Sequence, residues 1–484
     1  MATTVKKSAV ERVRALLDEN SFVEIGALVS ARSTDFNLGA KKEPSDGVVT
    51  GYGLIEGRLV YVYSQDASVL GGSVGEMHAK KIVDLYKLAL KTGAPVIALL
   101  DSCGLRLEES TDALCAFSQI YAQMSAASGV IPQISAVFGT CGGGLALIPA
   151  LADFSFMEAK NGKLFVNAPN TLAGNTTEKC DSSSAAFQSE QAGTIDFCGT
   201  GDEIISGIRQ LVSILPSNNA VDADFLESED DINRACDDME NCLEDTSIAL
   251  SRLSDDGLFV ETKKGSAREM TTGFIKLNGI TVGAVANRTK VYDDEMNVTD
   301  EFEPKLSAGG CRKAASFVKF CDAFNIPVLT LTNAAGFKAS LCEEKRIAQA
   351  AAQLSCAFAS STVPKVNVLI GKAHGSAFSV MNPKSLGADI VFAIPSASVG
   401  TMDSEMAVKI MYADEIEASS DKKSFIAEKK AEYDILQNSV DHAAARGAVD
   451  AIIEPVDLRK HLIGAFEVLY TKAENGPVKK HGTV

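Results

Sequence analysis

The chain has no tryptophan in 484 residues, an absence that excludes nothing by itself. Other absences exclude more. None of the eleven cysteines stands in a C-x-x-C pair, so neither a zinc site nor a redox dithiol is expected. The thiols read as small buried hydrophobes in a reducing compartment. Met1–Val10 carries two lysines and no apolar run, so no secretory leader is expected and the chain reads as cytoplasmic. Cationic residues are in deficit, 46 Lys and Arg against 63 Asp and Glu. The resulting charge of −17 argues against nucleic acid as a partner, and an anionic ligand would need local basic residues. Charge is missing altogether from Ala113 to Ala152, a stretch longer than the roughly 20 residues of a spanning helix. Pro132, Pro149 and Gly142-Gly143-Gly144 interrupt it, so a helix, a buried strand and a glycine turn fit better than a membrane span.

What the chain does contain is itself, twice. Pro95 and Pro327, Gly104 and Gly336, Pro132 and Pro364, Gly139 and Gly371, and Gly143 and Gly375 are all separated by one and the same interval. No gap opens between Lys80–Gly143 and Arg312–Gly375. The matched residues are mostly glycine and proline, which report backbone shape rather than side-chain chemistry. Length also suggests two domains, placed here at 1–240 and 241–484. The boundary falls in the acidic stretch Asp222–Asp245, read as a solvated linker or exposed helix.

Both halves open alike. Helical spacing at Glu11–Asp18 precedes Phe22-Val23-Glu24, and helical spacing at Thr246–Leu253 precedes Phe259-Val260-Glu261. Val48–Ile55 and Leu59–Tyr63 read as a hairpin around Gly57, and Thr272–Leu277 and Ile280–Ala286 as another around Asn278-Gly279. Helices are expected at Glu76–Thr92 and Arg312–Phe324. Apolar strands follow at Val96–Leu100 and Val328–Leu331, then second strands at Gln133–Phe138 and Lys365–Ile370. Apolar strands alternating with helices indicate an α/β sheet covered on its faces. After Glu405 the chain reads as helical and charged, ending in a Lys/His-rich tail expected to fray.

Two glycine turns stand out in each half. They are Asp101–Arg106 and Gly139–Gly144 in the first, and Asn333–Phe337 and Gly371–Ala377 in the second. Backbone N–H groups at a helix start are unsatisfied and carry the positive end of the helix dipole. Two such turns from neighbouring strands can aim two donors at one oxygen, an oxyanion hole. Close helix–strand packing is the plainer account of any single turn, and four turns in two matched pairs weigh against it. A phosphate loop is disfavoured, because neither G-x-x-x-x-G-K-[ST] nor G-x-G-x-x-G occurs at these turns. Side-chain catalysis finds little support. His78, beside Lys80 and Lys81, reads as part of a solvated helical face, and His374 has Gly142 as its counterpart.

Several stretches resemble the biotin-dependent acyl-CoA carboxyltransferase family of the crotonase superfamily. Gly71-Gly72-Ser73-Val74-Gly75-Glu76-Met77-His78-Ala79-Lys80-Lys81-Ile82 is similar to the family's G-G-S-x-x-E-x-H-A-K-K-I. Asp46–Gly51, Gly129–Ser135, Leu215–Asn219 and Phe320–Pro327 also match. The resemblance runs from about Glu11 to about Val456. It implies two tandem crotonase-like domains related by duplication, one for an acyl-CoA and the other for biotin on a carrier protein, with an active site shared between protomers. The implied reaction moves a carboxyl group between biotin and the α-carbon of an acyl thioester. Charge then develops on the thioester oxygen and on the ureido oxygen, so two oxyanion holes are needed.

By that resemblance the N–H groups of Leu105 and Gly143, with Gly144 adjoining, serve the thioester oxygen. Those of Phe337 and Gly375, with Ser376 and Ala377 adjoining, serve the ureido oxygen. Gly104, Gly336 and His374 lie in the same turns and are expected to face the cofactor. Arg106, the arginine of the family's G-G-A-R, either helps place the CoA or forms an internal salt bridge. Ser379 falls where the family tunes acyl-chain choice. The chain departs from the pattern at Cys103 and Leu105, at Asn333–Phe337, and at Ser376, whose Cβ could crowd biotin where the family has glycine. No Met-Lys pair occurs, so the A-M-K-M biotinylation site is lacking. The implied partners are therefore a separate biotin carboxyl carrier protein, a biotin carboxylase or membrane decarboxylase subunit, and further copies of the chain as a dimer or hexamer. No metal is expected. The alternatives are a biotin-independent crotonase-type acyl-CoA enzyme and a non-catalytic paralogue that binds acyl-CoA or scaffolds a complex.

Overall fold

In the computed structural model the described residues are 7–32, 44–175, 179–221, 228–293, 295–474, 476–477 and 482–484. The chain divides into two compact units, Met1–Asp222 with Lys263–Ser266, and Ala223–Thr262 with Ala267–Val484.

The sheet of the first unit contains β1 (Val23–Ile25), β2 (Val48–Ile55), β3 (Arg58–Gln65), β4 (Val96–Ser102), β5 (Gln133–Gly142), β6 (Phe154–Glu158), β7 (Lys163–Phe165) and β8 (Phe197–Gly199). It runs β1-β2-β3-β4-β5-β6-β8, with β7 also pairing β5. The second unit opens with β9 (Val260–Thr262), β10 (Met270–Leu277) and β11 (Ile280–Asn287), then the separate ribbon of β12 (Lys290–Tyr292) and β13 (Val298–Glu301). It continues with β14 (Val328–Ala334), β15 (Lys365–His374), β16 (Ile390–Ala393), β17 (Ser398–Gly400) and β18 (Ala451–Ile452), in the order β18-β16-β15-β14-β11-β10-β9 with β17 on β15. In both sheets an antiparallel hairpin joins a parallel set. The parallel strands are buried along nearly their whole length, because helices such as Glu76–Thr92 and Ser110–Ala127 cover them.

The register of the duplication extends through this geometry. β4 and β14 start and stop at matched positions, as do β5 and β15, and their pairing slips at the same place, before Ser102 and before Ala334. Side chains of the same type, at other sequence intervals than the matched glycines, then do the same work in the two units. Asp18 accepts the N–H groups of the hairpin turn Glu56-Gly57, and Asp255 accepts those of Asn278-Gly279. Arg209 holds Asp18 and the Leu16 carbonyl, as Arg459 holds Asp255 and the Leu253 carbonyl. The repeated Phe-Val-Glu has a steric reason. A Cβ on Gly51 would lie 2.3 Å from the Val23 carbonyl and 2.6 Å from the Phe22 ring, and one on Gly273 2.4 Å from the Val260 carbonyl and 2.7 Å from the Phe259 ring. Each glycine lets the short edge strand and its aromatic lie against the hairpin.

Four expectations need correction. Within the acidic stretch, Asp222–Glu227 lies outside the described residues, and the remainder is not a solvated linker. Cys236, Met239 and Leu243 are buried in the second unit's core, and Asp230 pairs with Arg234 and Arg459. Three apolar residues at helical spacing anchor an otherwise acidic segment. The helix read as Arg312–Phe324 begins at Ala308, because the Ser307 side chain accepts the Gly310 N–H and outweighs two glycines of low helix propensity. Gly139 and Gly371 lie inside extended strands rather than in turns, since β5 and β15 continue to Gly142 and His374 by pairing with β7 and β17. Lastly, His78 is fully buried instead of facing solvent. The charged tail at Lys479–His481 lies outside the described residues.

Candidate functional site

In each unit the carboxyl ends of two neighbouring parallel strands deliver two turns side by side. The first turn of the first unit is clamped by the segment before the helix Glu76–Thr92. Cys103 N–H donates to the Gly71 carbonyl at 3.0 Å, Val74 N–H to the Gly104 carbonyl at 2.8 Å, and Arg106 N–H to the Val74 carbonyl at 3.0 Å. A parallel bridge of this kind turns the peptide groups of the intervening residue away from the clamp. Leu105 N–H accordingly has no acceptor among the described residues. The second unit repeats the clamp at the matched positions, with Leu306 bonded to Gly336 and Lys338 at 2.9 Å each. Phe337 N–H is likewise without an acceptor among the described residues. Val74 and Leu306 are functional positions the sequence reading missed. They keep the same interval as the matched glycines, and extending the gap-free register a few positions upstream of Lys80 would have found them.

The second turn starts a short helical run in each unit. Gly143 (φ 63°) opens Gly143–Ala146, and Gly375 (φ 58°) opens Gly375–Val380. Positive φ is the conformation that lets an extended strand swing directly into a helical turn, and glycine adopts it at little cost. No side chain caps either start. The leading N–H groups of both runs, those of Gly144, Ser376 and Ala377 included, thus form an electropositive edge. The turns are neighbours because Ser102 is in register with Cys141, and Ala334 with Ala373.

Beneath the first turn lies a buried ionic cluster. Arg106 is 1% exposed, and its guanidinium meets Asp46 Oδ1 at 2.7 Å, Glu109 Oε1 at 2.9 Å and the Ser73 carbonyl at 2.7 Å. Glu109 also accepts the Glu76 N–H at 2.6 Å, capping the helix that the clamp leads into. Of the two roles expected for Arg106 the structure shows the internal salt bridge, and its charge is not presented to a ligand as placing the CoA would require. Burial raises the Asp46 carboxyl above its usual range, and Arg106 opposes the shift. His78 completes the layer. Its Nδ1 lies 3.0 Å from the Asp46 carbonyl and its Nε2 3.3 Å from Gln65 Nε2, so the neutral ring donates from Nδ1 and accepts at Nε2. Burial and the nearby Arg106 push its pKa down to about 3. In the second unit Glu343 caps Ala308 as Glu109 caps Glu76, but exposed Lys338 replaces Arg106, so the ion cluster is not duplicated.

His374 is also turned inward. It is 4% exposed, its Nε2 lies 2.9 Å from Ser398 Oγ, and burial lowers its pKa. Its imidazole supports the strand and is not offered to a ligand, which corrects the expectation that it faces the cofactor together with Gly104 and Gly336. Tyr121 donates to the Gly144 carbonyl at 2.5 Å, and a Cβ on Gly144 would lie 3.0 Å from that hydroxyl. Gln353 is the counterpart of Tyr121 in the duplicated register, and there the second unit carries Ser376, exposed, in place of glycine. Ser379 is exposed, with its hydroxyl donating back to the Gly375 carbonyl at 3.4 Å. No cluster of potential metal ligands occurs among the described residues.

Comparison with known proteins decides the family. The model of the carboxyl transferase domain matches residues 3–484. The chain belongs to the carboxyl transferase family. It is 37% identical to the methylmalonyl-CoA decarboxylase subunit alpha of Propionigenium modestum, over 99% of this chain and 93% of that one. To the propionyl-CoA carboxylase beta chain of Saccharopolyspora erythraea it is also 37% identical, covering 99% and 90% respectively. A crystal structure of the hexameric transcarboxylase 12S with methylmalonyl-CoA bound superposes with a TM-score of 0.91 at 35% identity, covering 99% of this chain and 92% of that one. Both units accordingly have the crotonase-like α/β fold expected of tandem carboxyltransferase domains, and the carboxyl transferase assignment makes the chain an enzyme subunit.

Proposed function

We propose that the chain transfers a carboxyl group between the α-carbon of an acyl-CoA and biotin held on a separate carrier protein. The carrying observation is the pair of unacceptored N–H groups, Leu105 and Phe337, each beside an uncapped helical start at Gly143 or Gly375. In the first unit, N–H groups of the Leu105 and Gly143 turns hold the thioester oxygen and stabilise the enolate as the α-carbon loses or gains the carboxyl group. In the second unit, the Phe337 N–H and the leading N–H groups of Gly375–Ala377 fit the ureido oxygen of biotin, which supplies a ring nitrogen able to carry the carboxyl group. Fixed main-chain donors of this kind are each worth roughly a hundred- to a thousandfold in rate. Burial of His78, His374 and Arg106 in internal bonds favours main-chain catalysis over a biotin-independent reaction needing a positioned acid or base.

The relatives' names favour propionyl-CoA and methylmalonyl-CoA as the substrate pair and a multi-subunit setting, either a carboxylase or a decarboxylase. The first unit takes the acyl-CoA and the second biotin, with the site completed between copies of the chain in a dimer or hexamer. Among the described residues no helix is long and apolar enough to cross a membrane. The test is exchange of labelled carboxyl between methylmalonyl-CoA and free biotin on the purified chain. Saturable exchange is expected. Retained CoA binding without exchange for any short acyl-CoA would overturn the proposal in favour of a scaffold.

A further inference from the structure

The second turns of the two units are held in shape by different means. Gly142-Gly143-Gly144 is the one run of three glycines in the chain, and it makes the second turn of the first unit. Glycine takes either sign of φ at little cost, so a peptide plane in such a run can turn over and exchange its N–H for its carbonyl. An oxyanion hole tolerates no such exchange, since a carbonyl aimed at the oxygen repels the charge that an N–H would stabilise. In the helical run Gly143–Ala146 the leading N–H groups point outward because the carbonyls are held back. The Gly144 carbonyl is held from two directions, by the Leu147 N–H next to the run and by the Tyr121 hydroxyl at 2.5 Å. Tyr121 comes from another element, the helix Ser110–Ala127, and is half-buried with its ring centroid 6.0 Å from that of Phe117. Burial raises the pKa of the phenol, so the hydroxyl stays protonated as a donor. The pair suits glycine, because a Cβ on Gly144 would lie 3.0 Å from the Tyr121 hydroxyl. The second unit lacks both members. Gln353 stands at the Tyr121 position and Ser376 at the Gly144 position. The Ser376 carbonyl accepts no side-chain hydrogen bond among the described residues, and its own Cβ restricts the backbone to the helical region of the run Gly375–Val380.

We propose that Tyr121 is a positioning residue of the thioester oxyanion hole. Its hydroxyl holds the Gly144 carbonyl back and so keeps the N–H groups of Gly143 and Gly144 aimed at the substrate oxygen. The inference rests on the carboxyl-transfer reading and deepens it, naming the side chain that orders a hole made of main chain. Tyr121 itself touches no reacting atom. Tyr121 with Gly144 in one unit, and Gln353 with Ser376 in the other, are two solutions to one problem: a tether from outside the run, or a Cβ within it.

The experiment measures carboxyl exchange between methylmalonyl-CoA and free biotin for the full chain, for Tyr121→Phe and for the double variant Tyr121→Phe/Gly144→Ser, with thermal unfolding of each. Phenylalanine keeps the ring against Phe117, so the fold is retained and only the tether is lost. For Tyr121→Phe, kcat is expected to fall roughly tenfold while KM for methylmalonyl-CoA stays within about twofold, the signature of an interaction that matters in the transition state. A role confined to packing would lower the unfolding temperature without that split. The double variant copies the second unit's solution, with no hydroxyl left to meet the new Cβ, and is expected to recover most of the lost turnover. Turnover of Tyr121→Phe within about twofold of wild type, a raised KM at unchanged kcat, or a double variant no faster than the single one would overturn the inference alone. Absence of exchange in the wild-type chain would instead overturn the carboxyl-transfer reading, and this inference with it.

Discussion

His78 follows two residues after the start of its helix, next to two lysines, and its burial shows how neighbours in sequence mislead. Lys81 is itself 6% exposed, because its ammonium reaches the carbonyls of Ser45 and Val48, and burial pushes its pKa down to about 8. Polar residues on this helix face are drawn inward by carbonyl acceptors that no local pattern reveals. The depressed pKa of His78 fixes a sign. Folding favours the neutral ring, so its stabilising contribution is present above 6.5 and is lost as pH falls toward about 3. Wild type should therefore lose about 1.4 kcal/mol per pH unit relative to His78→Gln across that window. Chemical denaturation of both proteins at stepped pH measures the difference, and parallel curves would contradict the assignment. Arg106 gives a second prediction. Replacing it with Met leaves Asp46 and Glu109 buried without their cation, and thermal unfolding should show a loss of roughly 3–5 kcal/mol.

Elements carry the duplication more faithfully than residues do. The strands, the slip before Ser102 and Ala334, and the clamps at Val74 and Leu306 hold one offset. The Asp–Arg pairs that brace the hairpins do not, because the connecting segments differ in length between the halves. That is why the glycine and proline register was legible in the sequence while Asp18 with Arg209 and Asp255 with Arg459 were not. The strand ends were also illegible, since pairing with β7 and β17 is a tertiary effect that extends β5 and β15 through glycines. The edge-strand glycines offer a direct check. Gly51→Ala and Gly273→Ala each force a Cβ against a backbone carbonyl, and each should cost roughly 1–3 kcal/mol in denaturant unfolding. An effect at one site alone would mean that the two hairpins are not braced alike.

For the whole molecule, the sequence disclosed the duplicated turns and the family, while the structure placed the side chains around those turns. Arg106 and His374 are internal supports, and Val74, Leu306, Asp46 and Glu109 emerged as the groups that hold the donors in place. The proposed donors are main chain, and their N–H groups can be removed one at a time. Replacing Leu105 with its α-hydroxy acid, and in a second protein Phe337 with its own, turns one peptide N–H into an ester oxygen and leaves the side chain intact. Neither N–H has an internal acceptor among the described residues, but the ester also weakens the Gly104 or Gly336 carbonyl that accepts from Val74 or Leu306, so thermal unfolding of each ester protein is measured alongside and should show only a small loss. In the carboxyl-exchange assay each ester protein should lose roughly a hundred- to a thousandfold in turnover. Turnover within a few-fold of wild type in either protein would contradict the claim that the duplicated turns are two oxyanion holes.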